Sequence, residues 1–599
     1  MRPFSRHRLA ATALVAIGAL VLSMATSAEA APRTSSVRTA FATAAQRTGV
    51  PASLLEAICY TEGRLSMHSG HPSLDHGFGC MHLTANDHAH TLREAARDLG
   101  VSTHNLKTDL ATNVLGGAAV LRDDARRLSR DGHLPTSLGG WYGAVAAYSG
   151  AVVKQTALMY ADAVFSALRH GFTGRTDNGQ QLTLAPRAVH PVRTSARAVQ
   201  TQASALPAGC QRDTAVDYSP AIDCIVPAKI FDCKVSKFAY PGCTYQDANR
   251  PSSSPIRGVV IHDIEGTAQD GLNVFQDHNS GVSIHYVVDT DGTVYQLLRE
   301  RDIAYQDGNF NSNVHTIGIE HAGFDANGYQ WYNATEYLAS AQLVAYLLTK
   351  YHLPLDRGAI VAHGTVPSPN YLSENHVDPG PYWMWDYYFS LIHNQGVPYS
   401  PTSTDPHLIT ISNDQRPQAD GTETPDDFGF YYLYSGPSTA SAPIPALDSG
   451  GADITDESDN VEAGVSYYSV GDPVPDPAGT GDMMYQIWYG EYDQLHASTP
   501  SRFQDAQLAW VAVPPTSHVV PGVGTAVTIT PTDGASSMFV YGDPDTSTSH
   551  ILGSAPAGAT FASMTSVGDP THPKKLFYEI DFNHRQAWVP ATDVTVSGG

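Results

Sequence analysis

The period of the apolar positions changes along the chain, and each change predicts a different kind of element. From residue 36 to 170, the segments SVRTAFATAAQRTG, PASLLEAICYTEG, TDLATNVLGGAAVLRDDARRLS and WYGAVAAYSGAVVKQTALMYADAVFSALRHG place apolar residues three and four apart, the spacing of one helix face. An all-α module is predicted there. Residues 171–208 have no period and are rich in Thr, Ser, Arg, Gln and Pro, which reads as a linker. Between 209 and 398, short β-rich runs (GVVIHDI, SIHYVVD, TVYQLL, HTIGIEHAG) accompany an amphipathic helix, ATEYLASAQLVAYLLTKYH, and Asp291-Gly292 marks a hairpin turn. A second linker is expected over 399–425. Beyond it, Gly, Pro and Asp punctuate short alternating runs (FGFYYLYS, VSYYSV, YQIWYG, AWVAV; then FVYGD, FYEIDF, AWVPA), predicting small all-β barrels over 426–516 and 525–597. The two stretches look like loose copies ending at Trp510-Val511 and Trp588-Val589.

Length agrees with several domains, since 599 residues at roughly 150 per domain make about four. With 42% apolar and 16% charged residues, collagenous, coiled-coil and wholly disordered chains are excluded. The formal charge of −24 argues against a nucleic-acid partner held by a basic surface. That charge is uneven: residues 1–200 carry 20 Lys and Arg against 13 Asp and Glu, whereas residues 401–599 carry 5 against 25.

Residues 1–30 place Arg2, Arg6 and Arg8 before an apolar run from Leu9 to about Met24, followed by Ala28-Glu29-Ala30. This is the pattern of a secretory signal cleaved after Ala30, and the run is short for a membrane anchor. A secreted, extracellular or wall-associated protein without stable membrane insertion is expected, as a monomer. In an oxidising compartment the six cysteines, Cys59 and Cys80, then Cys210, Cys224, Cys233 and Cys243, are expected to form three disulfides. The second set lacks any C-x-x-C pair, which disfavours a four-cysteine zinc site.

Candidate chemistry lies in the middle domain. His262 ends the buried run GVVIH, His363 ends IVAH, and Asp378 follows in HVDPGPYWMW. Two imidazoles and a carboxylate on separate loops would make a three-ligand Zn2+ site with an open fourth position. His285, His278 and His376 are alternative ligands by proximity.

The ordered pattern IHDIEGT, SIHYVVDTDGTVYQLLRERDIAYQDG, HTIGIEHAG, AHGTVPSPN, HVDPGPYW resembles the zinc-dependent N-acetylmuramoyl-L-alanine amidases related to peptidoglycan recognition proteins, over about residues 250–390. The resemblance implies an α/β domain with a mixed central sheet and flanking helices, and zinc on His262, His363 and Asp378. It also implies a general base at Glu320 and an oxyanion-steadying group at His376, where lysine is common. Many members carry a tyrosine where this chain has Ile284, so no catalytic tyrosine is assigned. The implied activity is hydrolysis of the amide between N-acetylmuramic acid and L-alanine in peptidoglycan; the alternatives are a non-catalytic peptidoglycan-binding protein and a lytic transglycosylase or muramidase acting through Glu62.

The helical segment, with VPASLLEAICYTEG, GFGCMHLT and GAVAAYSGA, resembles the lysozyme-like lytic transglycosylases. That resemblance implies an acid at Glu62 and an aromatic at Tyr148, with Cys59 and Cys80 flanking the first two motifs. Gly63, His82 and Ser149 depart from the residues usual there. A carboxyl among apolar residues has a raised pKa and can protonate a glycosidic oxygen near neutral pH. The C-terminal runs look like divergent bacterial Src-homology-3-like wall modules, with Tyr431, Tyr432, Trp488, Trp510 and Trp588 as candidate groove aromatics.

Overall fold

The computed structural model describes residues 37–598 except 64, 68–69, 71–76, 86–89, 151–153, 178, 199–205, 213–215, 369–375, 414–428, 445–459, 491–505 and 583. The expected export signal lies outside these residues. Among them, no helix is long and apolar enough to cross a membrane.

The first unit is mainly helical, with α1 Val37–Thr48, α2 Ala52–Gly63, α3 Thr91–Leu99, α4 Thr103–Thr108, α5 Leu110–Leu128, α6 Tyr142–Tyr148 and α7 Lys154–His170. Asp109 caps α5, its carboxylate accepting the Thr112 N–H at 2.8 Å. Phe41, Leu55, Ile58, Leu121, Trp141 and Phe165 are buried in one shared core.

The unit is not purely α. Two short antiparallel pairs belong to it, β1 Gly77–Phe78 with β2 Leu83–Thr84, and β3 Phe172–Arg175 with β4 Gln181–Leu184. The second pair occupies the stretch expected to be a linker. Alternation buries Phe172, Leu182 and Leu184 in the helical core, and Phe172 stacks on Tyr60 at 3.9 Å. Four residues of alternation are too few to stand out from a polar background.

The second unit is built on the sheet order β12-β7-β11-β8-β9-β5. Its strands are β5 Ile222–Asp223, β7 Gly258–Asp263, β8 Tyr286–Val288, β9 Val294–Gln296, β11 Thr316–His321 and β12 Ile360–Ala362. Strands β12, β7, β11 and β8 run parallel, β9 is antiparallel to β8, and β5 is parallel to β9. This is the mixed sheet expected, and the wholly buried GVVIHD of β7 matches a strand covered on both faces. Beside it lie α8 Ala228–Phe231, α9 Ala268–Phe275, α10 Phe310–His315, α11 Ala334–Tyr351 and α12 Trp385–Asn394, and the pair β6 Tyr245–Gln246 and β10 Ile303–Ala304. Thr267 and Asp270 form a capping box on α9, and Asn333 caps α11 by accepting the Thr335 and Glu336 N–H groups. Gly318 in β11 has no room for a side chain, because a Cβ there would stand 1.8 Å from Gln306 Oε1.

The C-terminal region is all-β. Strands β13 Leu408–Asn413, β14 Phe430–Tyr434, β15 Asn460–Glu462, β16 Ser466–Tyr468, β17 Val474–Pro475, β18 Met483–Tyr489, β19 Gln507–Val513 and β20 Ser517–Pro521 form sheets ordered β16-β13-β20 and β15-β14-β19-β18-β17. The next eight, β21 Thr525–Ile529, β22 Ser537–Tyr541, β23 Ile551–Pro556, β24 Thr560–Ser563, β25 Ser566–Gly568, β26 Leu576–Asp581, β27 Gln586–Pro590 and β28 Val594–Ser597, repeat that order as β24-β21-β28 and β23-β22-β27-β26-β25. The registers also correspond, with Tyr434 opposite Trp510 and Tyr541 opposite Trp588. Strand β13 falls within the expected 399–425 linker, so the first all-β module starts earlier than its composition indicated; each module is a pair of open sheets. Tyr431 and Trp588, read as groove candidates, are buried, whereas Tyr432, Trp488 and Trp510 are half-buried.

All six cysteines are paired, as Cys59–Cys80, Cys210–Cys224 and Cys233–Cys243.

A buried ion pair ties the middle unit to the first barrel. Arg357 Nη2 lies 2.6 Å from Glu462 Oε2, both side chains almost fully buried, and Trp385 Nε1 donates to the same carboxylate. The guanidinium also packs 3.6 Å over the Trp385 ring. Removing one member of such a pair strands the other charge, so Glu462→Ala is expected to cost about 3–5 kcal/mol. Denaturant unfolding followed by tryptophan fluorescence checks this.

Candidate functional site

Strands β7 and β12 run parallel and end together, with Ala362 opposite Ile261 and the His363 N–H bonded to the Ile261 carbonyl at 3.0 Å. Each strand therefore delivers a histidine at its carboxyl end, the edge where open parallel sheets place their sites. Asp378 joins them from the following loop, where its carbonyl accepts the Gly364 N–H at 2.8 Å.

The three polar ends converge. His262 Nδ1 and His363 Nδ1 are 3.0 Å apart, His363 Nδ1 is 3.0 Å from Asp378 Oδ1, and His262 Nδ1 is 3.5 Å from Asp378 Oδ2. All three side chains are buried, and their ligand atoms lie within 4.8 Å of one another. A tetrahedral dication with bonds of roughly 2.0–2.1 Å holds its ligand atoms about 3.3 Å apart, so the set fits such an ion without rearrangement. Burial lowers the His363 pKa to about 4, leaving a neutral imidazole, the form that binds metal. Burial alone would raise Asp378, but the adjoining His363 imidazole and hydrogen bonds from the histidines hold it well below the usual carboxylate range. Its second oxygen accepts the Asp263 N–H at 3.3 Å.

Glu320 lies beside this set because β11 pairs with β7 in parallel and Glu320 is opposite His262. Its Oε2 is buried without a hydrogen-bond partner. Burial, then the charges of Asp378 and Asp263, push its pKa well above the usual range; a cation on the neighbouring ligands acts in the opposite sense. His376 is half exposed at the mouth, stacked on His363 at 4.2 Å, with Nδ1 3.5 Å from Asp378 Oδ1.

Of the alternative ligands, His376 stays at the site, whereas His285 and His278 are engaged elsewhere. His285 is fully buried; its Nδ1 accepts the Gly318 N–H at 3.2 Å and its Nε2 is 2.8 Å from Arg250 Nη2. His278 stacks on Phe238 and bonds the Gly242 carbonyl. Ile284 is core.

These groups floor a groove of about 710 Å³ whose walls include Tyr240, Val274, Val282, Tyr305 and Phe310. Tyr240 and Phe310 are 65% and 55% exposed and present aromatic surface along the groove. Tyr240 comes from the loop closed by Cys233–Cys243, so the cysteine-rich extension builds one wall of the groove. Sequence inspection gave no role to this loop, nor to Asp263, whose carboxylate receives the Tyr332 hydroxyl beneath the ligands. The Asp in Ile-His-Asp and the isolated tyrosine between Cys233 and Cys243 were the available signals.

In the helical unit, Glu62 Oε2 lies 3.3 Å from His82 Nδ1. Burial raises its pKa to about 7, opposed by the nearby Tyr160 hydroxyl. Tyr148 is buried, and its hydroxyl donates to the Met81 carbonyl at 2.6 Å. The void beside Glu62 is only about 30 Å³ and is lined across from it by Gly292, Thr335 and Leu338 of the middle unit.

The sequence profile of N-acetylmuramoyl-L-alanine amidase matches residues 252–381, the stretch that carries the three ligand candidates and Glu320. Among solved structures, the selenomethionine derivative of AmpD is 20% identical, with a TM-score of 0.23, 29% of this chain and 96% of that chain being covered. AmiD from E. coli, solved with anhydro-N-acetylmuramic acid-L-Ala-D-gamma-Glu-L-Lys, is 24% identical with a TM-score of 0.20, covering 24% of this chain and 59% of that one. N-acetylmuramoyl-L-alanine amidase A of Achromobacter lyticus is 30% identical over 162 residues, 24% of this chain but 88% of that relative. Because 88% of that enzyme has its counterpart in this chain, the chain belongs to the N-acetylmuramoyl-L-alanine amidase family.

Proposed function

We propose that this protein is a secreted, zinc-dependent peptidoglycan hydrolase that cleaves the amide between N-acetylmuramic acid and L-alanine. The observation that carries the reading is the convergence of His262, His363 and Asp378 beside Glu320 on the floor of the groove. The ligand set suits zinc, two imidazoles and one carboxylate leaving a fourth position open. Zinc held there supplies Lewis acidity, which activates water and polarises the scissile carbonyl. Glu320 takes the proton of the attacking water and passes it to the departing alanine amine. His376, at the mouth, donates a hydrogen bond to the oxyanion as the carbonyl carbon becomes tetrahedral. Appearance of new L-alanine amino termini on incubation with purified peptidoglycan tests the reading; none with zinc-loaded protein contradicts it.

Export is supported by Arg2, Arg6 and Arg8 ahead of an apolar run and by the three disulfides. The helical unit is read as a lysozyme-like module and the barrels as wall-binding modules, now with a scaffolding part as well. Glu62 is read as secondary to this site, since it sits beside a small void lined across from it by Gly292, Thr335 and Leu338 of the middle unit. Glu62→Gln is accordingly expected to leave the rate of amide cleavage unchanged within error; a large loss in that assay would give the helical unit a direct part in the reaction.

A further inference from the structure

The second barrel reaches into the loops that carry the metal ligands. Arg585, which precedes β27, is 3% exposed. Its Nη1 donates to the Gly364 carbonyl and, at 3.0 Å, to the His376 carbonyl. Gly364 directly follows His363, and His376 lies two residues before Asp378. One guanidinium nitrogen thus bridges the backbone beside two of the three candidate ligands. The neighbouring Gln586 N–H donates to the Thr365 carbonyl at 2.8 Å. From the amidase side, Asn309 Nδ2 lies 3.0 Å from the Pro367 carbonyl and 3.3 Å from the Gly542 carbonyl of the second barrel. The backbone that follows His363 is therefore held at Gly364, Thr365 and Pro367, and that which precedes Asp378 at His376.

Such bracing has a chemical consequence. Truncating Arg585 removes the donor from two carbonyls in the interior. The backbone that aims His363 and Asp378 then loses its tether, while the imidazole and carboxylate remain. A ligand set that must converge within about 0.5 Å is sensitive to that freedom, and groups that orient ligands from behind are typically worth 10–100-fold in metal affinity.

We propose that Arg585 is a positioning residue of the metal centre, so that the second barrel completes the zinc site of the amidase domain in addition to any attachment to the wall. The inference rests on the zinc reading above. It adds that a residue more than two hundred positions from the nearest ligand sets the affinity of the site.

The test uses full-length wild type, Arg585→Ala and Arg585→Lys. Zinc dissociation constants are measured by competition with a chromogenic chelator, and near-ultraviolet circular dichroism and thermal unfolding are recorded on the zinc-free proteins. Arg585→Ala is expected to keep the native aromatic spectrum and bind zinc about 10–100-fold more weakly. Arg585→Lys, which keeps the charge and can still reach one carbonyl, is expected to recover part of that loss. A folded Arg585→Ala with wild-type zinc affinity overturns the proposal, whatever its melting temperature. If Arg585→Ala does not fold, Arg585→Lys decides: weakened zinc binding by a folded protein supports the proposal and wild-type affinity overturns it. Wild type that takes up no zinc would instead sink the zinc reading, which is a distinct result.

Discussion

Glu320→Gln is expected to lower the turnover number for amide cleavage by about 10²–10⁴-fold, the usual contribution of a general acid–base group, while zinc content stays at the wild-type level. The substitution is nearly isosteric, and Glu320 belongs to β11 rather than to the ligand loops. What it removes is a carboxylate able to receive a proton, at a position where Oε2 otherwise has no hydrogen-bond partner. Register holds the carboxyl there: Glu320 is fixed opposite His262 by six consecutive parallel pairs from Thr316 to His321. The Michaelis constant should change little, because proton transfer is needed in the transition state and not for substrate binding. Steady-state kinetics on a muramoyl-peptide, with metal analysis of the same samples, separates these effects. Full activity in a zinc-replete Glu320→Gln would move the base elsewhere, with Asp263 and His376 the nearest candidates.

The second large effect is expected at the ligands. His363→Ala should lose zinc and turnover together, and added zinc should not restore the rate at concentrations that saturate wild type. His363 is 4% exposed, and its Nδ1 faces both His262 and Asp378. Without it the site keeps one imidazole and one carboxylate, a poor match to a tetrahedral ion. Metal binding and stability are linked, so zinc should raise the melting temperature of wild type and have little effect on the variant. Calorimetric scans with and without zinc read this directly. A variant that keeps stoichiometric zinc would return one of the other histidines to the ligand set.

The convergence of His262, His363 and Asp378 was legible from the ordered motifs that resemble the amidases more than from spacing, although His262 and His363 each close a short β-branched run. Parallel pairing then brings the strand ends together, a consequence of the sheet rather than of neighbouring residues. Glu320 came from the family resemblance, in which a carboxylate follows a Gly-Ile pair, here in β11. Tyr240 was not legible, because nothing within Cys233–Cys243 indicates that the closed loop folds back over the groove. Arg585 was hidden more deeply. It is one of five basic residues among residues 401–599, and its role depends on how the second barrel seats on the amidase domain, which no local periodicity encodes. The stretches read as linkers misled in another way. Leu182, Leu184 and the strand Leu408–Asn413 are short apolar elements in polar company, and burial in the core of the unit each adjoins in sequence makes them structure.

Mass spectrometry of the soluble products from purified peptidoglycan incubated with the mature protein, with a zinc chelator and after zinc is returned, tests the central claim most directly. The account predicts free stem peptides with an L-alanine amino terminus, which disappear on chelation and reappear with zinc. Products consisting only of anhydro-sugar muropeptides, indifferent to the chelator, would contradict it and transfer the activity to Glu62.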